Sequence, residues 1–293
     1  MSTSATITTI DIHDAGETGT NPMDAGAPAQ ARIAKPRIGI TERGDASLDY
    51  AWTEHLDAVD GAILITKHIT KRFIDEVLAA NERRPIIVHA TVTGWGASAV
   101  EPNVCPPDEA VSALARLVMA GFPCERCVLR IDPIIPTAPG LACVRRVLAL
   151  ARTHACLANI RVRVSVLDEY AHVKKRLHDA GYASFYEGRR FRASAEELRA
   201  VAALLEDEHR EHGHMFETCA EPDLRATGVI ASGCVSDTDM DLMGLHVADA
   251  GIGANLQNRF GCLCSAAKTE LLGCRGRCAH NCLYCYWKDD ARR

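Results

Sequence analysis

From Pro36 onward the chain alternates six times between a short apolar run and a stretch of helical periodicity, and few folds tolerate that rhythm. Strands are expected over 37–41, 62–67, 86–93, 127–132, 161–168 and 214–219. Helices are expected over 48–59, 71–80, 108–120, 141–151, 169–180 and 195–212. Strands separated by helices pair in parallel through right-handed crossovers. That leaves a doubly wound sheet or a closed or partial β/α barrel. A doubly wound sheet is covered by helices on both faces and reads apolar on both. Here alternate strand positions are polar: His89, Thr91 and Thr93; Arg130 and Asp132; Arg163 and Ser165; Glu217 and Cys219. A strand-end hydrogen bond would account for any one of them. Four strands sharing the habit point to the lumen of a six-stranded partial β/α barrel of the TIM-barrel type.

The expected organisation is a leader over 1–35, rich in Ser, Thr, Ala, Gly, Asp and Pro and without periodicity, then a barrel over 36–254 and a cysteine-rich tail over 255–293 packed on it. The formal net charge of −5 offers no broad positive field, so nucleic acid is not the expected partner. No apolar stretch approaches the ~18 residues of a membrane span, and a cytoplasmic location is expected. Thirteen cysteines in a reducing compartment point to metal binding rather than disulfides. Neither a P-loop nor a G-x-G-x-x-G run is present.

The tail carries Cys278-Ala-His-Asn-Cys282-Leu-Tyr284-Cys285, spaced C-x3-C-x2-C. Three thiolates on one tight loop can hold three irons of a [4Fe–4S] cube and leave the fourth iron open. A zinc ribbon would favour paired C-x2-C units and four ligands. The spacing resembles the signature of radical S-adenosylmethionine enzymes. That resemblance implies S-adenosylmethionine on the open iron with Tyr284 beside its adenine. It also implies reductive cleavage to a 5′-deoxyadenosyl radical, hydrogen abstraction from a substrate the sequence does not identify, and a low-potential electron donor such as a flavodoxin or ferredoxin.

Further segments widen the likeness: Thr91-Val-Thr-Gly-Trp-Gly96, Glu101-Pro-Asn-Val104, Arg130-Ile-Asp-Pro133, Ser165-Val-Leu-Asp168 with Tyr170, Glu217-Thr-Cys-Ala-Glu221, Cys234, Asn258-Arg259 with Gly261-Cys-Leu-Cys264, and Cys278 to Tyr286. Together they resemble the bacterial family called domain of unknown function 1848, iron–sulfur proteins with a radical-SAM-like cysteine motif at the C-terminus of a β/α barrel. Members usually show Ser-Arg-Arg-Thr-Asp and Trp-Thr-Lys-Asn-Pro where this chain has Thr41-Glu42-Arg43-Gly44-Asp45 and Ile65-Thr66-Lys67-His68-Ile69. Both changes fall where loops line a barrel mouth, so substrate choice is expected to differ. Cys219, Cys234, Cys262 and Cys264 match cysteine positions of the family, and four thiolates are the complement for a second [4Fe–4S] cluster.

Lys67, Arg130, Asp132 and Glu217 are the candidate reaction-site residues, and Tyr284, Thr93 and Glu221 the candidate cofactor contacts. Arg130 suits a carboxylate, and Asp132, Glu217 and Glu221 suit an ammonium or ribose hydroxyls. Arg130 paired with Asp132 or Glu217 would instead neutralise the interior. Cys274 is either an alternative ligand or none. Cys105, Cys124, Cys127, Cys143 and Cys156 read as small core hydrophobes, and His280 as a hydrogen-bonding or solvent-facing residue rather than a ligand. Two other functions fit the same motif: a non-catalytic iron–sulfur electron-transfer or redox-sensing protein, and a zinc-stabilised binding module gripping a partner through Arg275, Arg277, Lys288, Arg292 and Arg293. For radical chemistry the tail must fold back onto the C-terminal ends of the strands.

Overall fold

Eight parallel strands form one sheet in the computed structural model, which describes residues 36–245, 262–272 and 278–287. The leader, Cys274, Asn258, Arg259, Gly261 and the basic residues Arg275, Arg277, Lys288, Arg292 and Arg293 lie outside the described residues. The strands are β1 (Ile38–Ile40), β2 (Gly61–Thr66), β3 (Ile86–Thr91), β4 (Cys127–Ile134), β5 (Arg161–Val166), β6 (Phe216–Cys219), β7 (Val229–Ser232) and β8 (Lys268–Glu270). The sheet order runs β7-β6-β5-β4-β3-β2-β1-β8, so each strand from β2 to β7 lies beside its predecessor in sequence.

Two strands exceed the six expected. β7 is four residues long, with a half-buried and exposed pattern that carries no apolar alternation. β8 reads Lys-Thr-Glu and lies inside the segment expected to be a separate tail, yet it pairs in parallel with β1 in the register Ile38↔Lys268. Both owe their conformation to a neighbour's unpaired edge rather than to their own propensity. The helix expected over 48–59 shortens to α1 (Trp52–His55), followed by a 3₁₀ turn over Leu56–Ala58.

The remaining helices are α2 (Lys71–Asn81), α3 (Pro107–Met119), α4 (Ala138–Arg152), α5 (Ala171–Asp179), α6 (Ala195–His212) and α7 (Asp237–Leu242). Their starts are capped as the sequence allows. Thr70 accepts from Phe73 N and Thr137 from Gly140 N, whereas Ser194 with Glu197 and Ser236 with Asp239 form reciprocal capping boxes.

Alternation sorts the strand residues between two apolar layers. Leu64, Val88, Leu129 and Val162 pack with Phe73, Leu114, Val147 and Leu205 of α2, α3, α4 and α6. Ile38, Ile63, Ile87 and Val128 face the other way and pack with Met240 and Met243 of the α7 region. Each fully buried Ile or Leu contributes about 1.5–3 kcal/mol. The two layers therefore carry most of the stabilisation, and the polar positions between them are free to serve chemistry. Among the described residues no helix is long and apolar enough to cross a membrane.

Candidate functional site

The C-terminal cysteines sit over the C-terminal ends of the strands. Leu283 N donates to Val100 O at 3.0 Å and the Asn103 side chain to Ala279 O at 2.7 Å, both partners lying in the loop after β3. Arg176 of α5 donates to the carbonyls of Leu283, Cys285 and Trp287, and Trp287 Nε1 donates to Glu42 O after β1 at 3.1 Å. Cys282 and Tyr284 enter an apolar seat with Val100, Ile135, Leu167 and Tyr186. Asn281, at φ 52°, takes the left-handed turn between Cys278 and Cys282, a conformation Asn tolerates better than most residues. Burial pushes the Cys282 thiol up to about 12, and nearby Lys67 pulls against that rise.

Under this loop lies a carboxylate to which the sequence reading gave no role. Glu101, 1% exposed, accepts from Lys67 Nζ at 2.8 Å and from the hydroxyls of Tyr284 and Thr93. Lys67 Nζ also lies 2.7 Å from the Tyr284 oxygen. Burial alone would raise the Glu101 carboxyl, but the Lys67 ammonium and these hydrogen bonds hold it below its ordinary value. Lys67, a candidate reaction-site residue, and Thr93 and Tyr284, candidate cofactor contacts, thus converge on one acid. Its segment Glu101-Pro-Asn-Val104 was the available signal, and nothing in the spacing ties it to a lysine 34 residues earlier. His280 is buried and hydrogen-bonded, with Nε2 at 2.8 Å from Asp45 Oδ2.

Deeper between the strands, Arg130 pairs with Asp132, which also accepts from Ser165 Oγ. These residues line a small pocket with His89, Cys219 and Cys234. Thr91 Oγ1 is buried without a hydrogen-bond partner. Glu221 accepts from the Val166 backbone amide at 2.9 Å and borders a second pocket with Asp168 and Arg192. Glu217 lies in a network of charges. It bonds Arg161 at 2.8 Å and also Arg163, and both arginines reach Asp239 of α7. Two cations and two anions cancel there, and Glu217 supplies one of the two negative charges.

His89, 2% exposed, lies beside these arginines. Burial, and then the charge of Arg163, hold its pKa well below the usual 6.5. Below about pH 6.5 the unfolded chain takes up a proton that the folded chain refuses, so stability falls with pH by up to ~1.4 kcal/mol per unit. His89→Gln is expected to flatten the slope of urea midpoint against pH between 6.5 and 5. Equal slopes in parent and variant would contradict this.

A second group of thiols gathers where β6 and β7 end. Cys219 Sγ and Cys234 Sγ are 2.9 Å apart. Hydrogen bonds from the Cys219 and Cys264 thiols draw Cys234 well below, and push Cys219 and Cys264 above, the ordinary thiol range. Cys262 neighbours Cys264, and both are buried while Leu263 between them is 42% exposed. The segment lies against residues 233–235, with Ser265 N donating to Val235 O at 2.8 Å. A Cβ on Gly233 would come within 2.5 Å of Leu263 O, so only glycine permits this approach. Among the described residues no three His, Cys, Asp or Glu side chains are preset around a single metal ion. Cys127 is buried, and Cys105, Cys124, Cys143 and Cys156 are half-buried; Cys124, Cys127 and Cys156 pack in or against the larger apolar layer, as does Cys105.

Residues 49–287 match the family model described as "Domain of unknown function (DUF1848)". No curated protein matches the chain.

Proposed function

Because the chain belongs to the domain of unknown function 1848 family, we propose that it is a radical S-adenosylmethionine enzyme built on an open eight-stranded β/α barrel, acting on a substrate bound in its lumen. The strand order supports the barrel. From β1 to β7 it advances without reversal, and right-handed crossovers then place the helices on one face. α2, α3, α4 and α6 share one apolar layer, and the opposite face packs α7 and borders the cavity.

The observation that carries the function is the return of the C-terminal motif onto the C-terminal ends of the strands, held by Val100, Asn103, Arg176 and Glu42. Active sites of β/α barrels are built on that face. The donor set suits the cluster, because Cys278, Cys282 and Cys285 share one tight turn in which Asn281 N donates to Cys278 O at 3.3 Å and Cys285 N to Cys282 O at 3.2 Å. Cys278, Cys282 and Cys285 would hold three irons of a [4Fe–4S] cluster. With S-adenosylmethionine on the fourth iron, the pair supplies a carbon-centred radical able to take hydrogen from a substrate.

The chain's own residues do the rest. Lys67 and Glu101 fix Tyr284 and, through it, the loop that bears the thiols. Thr91 Oγ1 offers an unused hydroxyl inside the interior. Arg130 and Asp132 present both signs of charge to the cavity, which suits a polar or zwitterionic ligand.

Anaerobic reconstitution and reduction test the reading. A [4Fe–4S] EPR signal that changes on adding S-adenosylmethionine is expected, together with accumulation of 5′-deoxyadenosine and loss of both in Cys282→Ala. A cluster signal indifferent to S-adenosylmethionine would favour the electron-transfer function. Zinc as the only metal would favour the binding module.

A further inference from the structure

We propose that Cys219 and Cys234 are a redox-active dithiol, which a peroxide entering the pocket between the strands closes into a disulfide. The inference rests on the geometry of these two residues and stands whether or not the C-terminal motif works on S-adenosylmethionine.

Two turns of the backbone bring the sulfurs together. Cys219 ends β6 opposite Ser232, the last residue of β7. Past Cys219 the chain turns at Ala220, which holds a left-handed φ of 57° that a residue with a side chain seldom adopts. Past Ser232 it turns at Gly233, pressed so closely against Leu263 O and the Cys264 backbone that a Cβ has no room. Cys234 then stands beside Cys219 with its sulfur 2.9 Å away. Touching carbons sit ~3.5–4.0 Å apart, and sulfur is the larger atom. A disulfide needs ~2.05 Å, so a shift of less than about 1 Å closes the bond.

Contact alone would describe an inert pair, and access is what makes this one reactive. Both residues are half-buried, and both line the small pocket shared with Arg130 and Asp132. Cys264, the other thiol that touches Cys234, is 5% exposed and does not line it. A pocket of this kind selects a small oxidant. Lys268 and Arg130 bring positive charge to Cys234, and Glu42 fixes Lys268 Nζ at 2.7 Å. Reactive cysteines sit in such electropositive, partly open surroundings. In the first step the Cys234 sulfur bonds one peroxide oxygen, the O–O bond breaks, and the other oxygen leaves with the thiol proton as water. In the second the Cys219 sulfur displaces the remaining hydroxyl, which leaves with the second thiol proton as water. The pair loses two electrons and the peroxide gains them. The bond occupies two of the four cysteines that a second cluster would require, so the two fates exclude each other.

The test reads linkage rather than turnover. The full chain, reduced and then freed of reductant, is treated with a stoichiometric amount of hydrogen peroxide, blocked with iodoacetamide and digested with trypsin. Cleavage after Arg210, Arg225, Arg259 and Lys268 leaves Cys219, Cys234 and Cys264 on three separate peptides. Mass spectrometry is expected to find the Cys219 and Cys234 peptides joined as the main cross-link of Cys234, separable by dithiothreitol and lost in Cys219→Ser. Folded parent that yields no such link overturns the proposal. So does a parent that joins Cys234 to the Cys264 peptide instead. Because the decisive sample is the parent, the result does not depend on whether the variant folds. A parent that forms the link but produces no 5′-deoxyadenosine after anaerobic reconstitution would sink the enzymatic reading and leave this one standing.

Discussion

Asp239→Ala is expected to lower the free energy of unfolding by about 3–5 kcal/mol, a large share of the roughly 5–15 kcal/mol a domain commands. Asp239 is fully buried. Its carboxylate accepts from Arg161 at 2.8 Å, from Arg163 at 3.2 Å, and from both the amide and hydroxyl of Ser236 at 2.9 Å. Removing it leaves two guanidinium groups facing Glu217 alone, an excess positive charge where little water can screen it. It also deletes half of the capping box that starts α7, whose Met240 helps close the inner apolar layer. Urea unfolding of parent and variant measures the loss. Arg161→Met combined with Asp239→Leu restores the charge balance and should recover most of it. A single variant that loses less than about 1 kcal/mol would show that water or a neighbour compensates the arginines.

The next largest effect is expected for Glu101→Ala, and it should be felt mainly in the C-terminal segment. The change strands Lys67 Nζ and the hydroxyls of Tyr284 and Thr93 in a buried site. Because the Lys67 side chain is 15% exposed, some of its charge can be rehydrated, and about 3 kcal/mol is the expected cost. Hydrogen exchange at Leu283 N and Cys285 N, which donate to Val100 O and Cys282 O, should accelerate about 100-fold. Amides of β3 and β4 should change less. A uniform acceleration across the sheet would mean that Glu101 supports the whole domain and not the docked segment. The same carboxylate predicts the response to acid. Its folded pKa is depressed, so its contribution is complete above the unfolded value near 4.3 and is lost as pH falls through the lower folded value. Docking of residues 278–287 should therefore weaken below about pH 4.

The inner layer of the sheet was legible because period-2 polarity survives in a sequence. Arg130 and Asp132, Arg163 and Ser165, and Glu217 and Cys219 share one face of the sheet, as their alternation implied. α2 and α6 were legible for a similar reason, since Thr70 and Ser194 cap runs with a clear apolar stripe. β8 was not, because Lys-Thr-Glu has no pattern of its own and becomes a strand only against β1. The charge network was hidden too. Arg161 and Asp239 are 78 residues apart, and no local rule pairs them. Within the site, the tail's need to fold back could be read from the chemistry of its cysteines. Lys67, Thr93 and Tyr284 could each be picked out as polar residues near strand ends or in the motif. Their common partner, Glu101, is defined only by the fold.

The docked C-terminal loop also sets an order of events in synthesis. Cys278, Cys282 and Cys285 leave the ribosome after all eight strands, and their seat is made of Val100, Ile135, Leu167 and Tyr186 from loops between those strands. The sheet and its helices must therefore find one another without help from that motif. A nascent chain halted before residue 278 already carries every described strand of the sheet and Cys219, Cys234, Cys262 and Cys264, but none of the three cysteines of the docked loop.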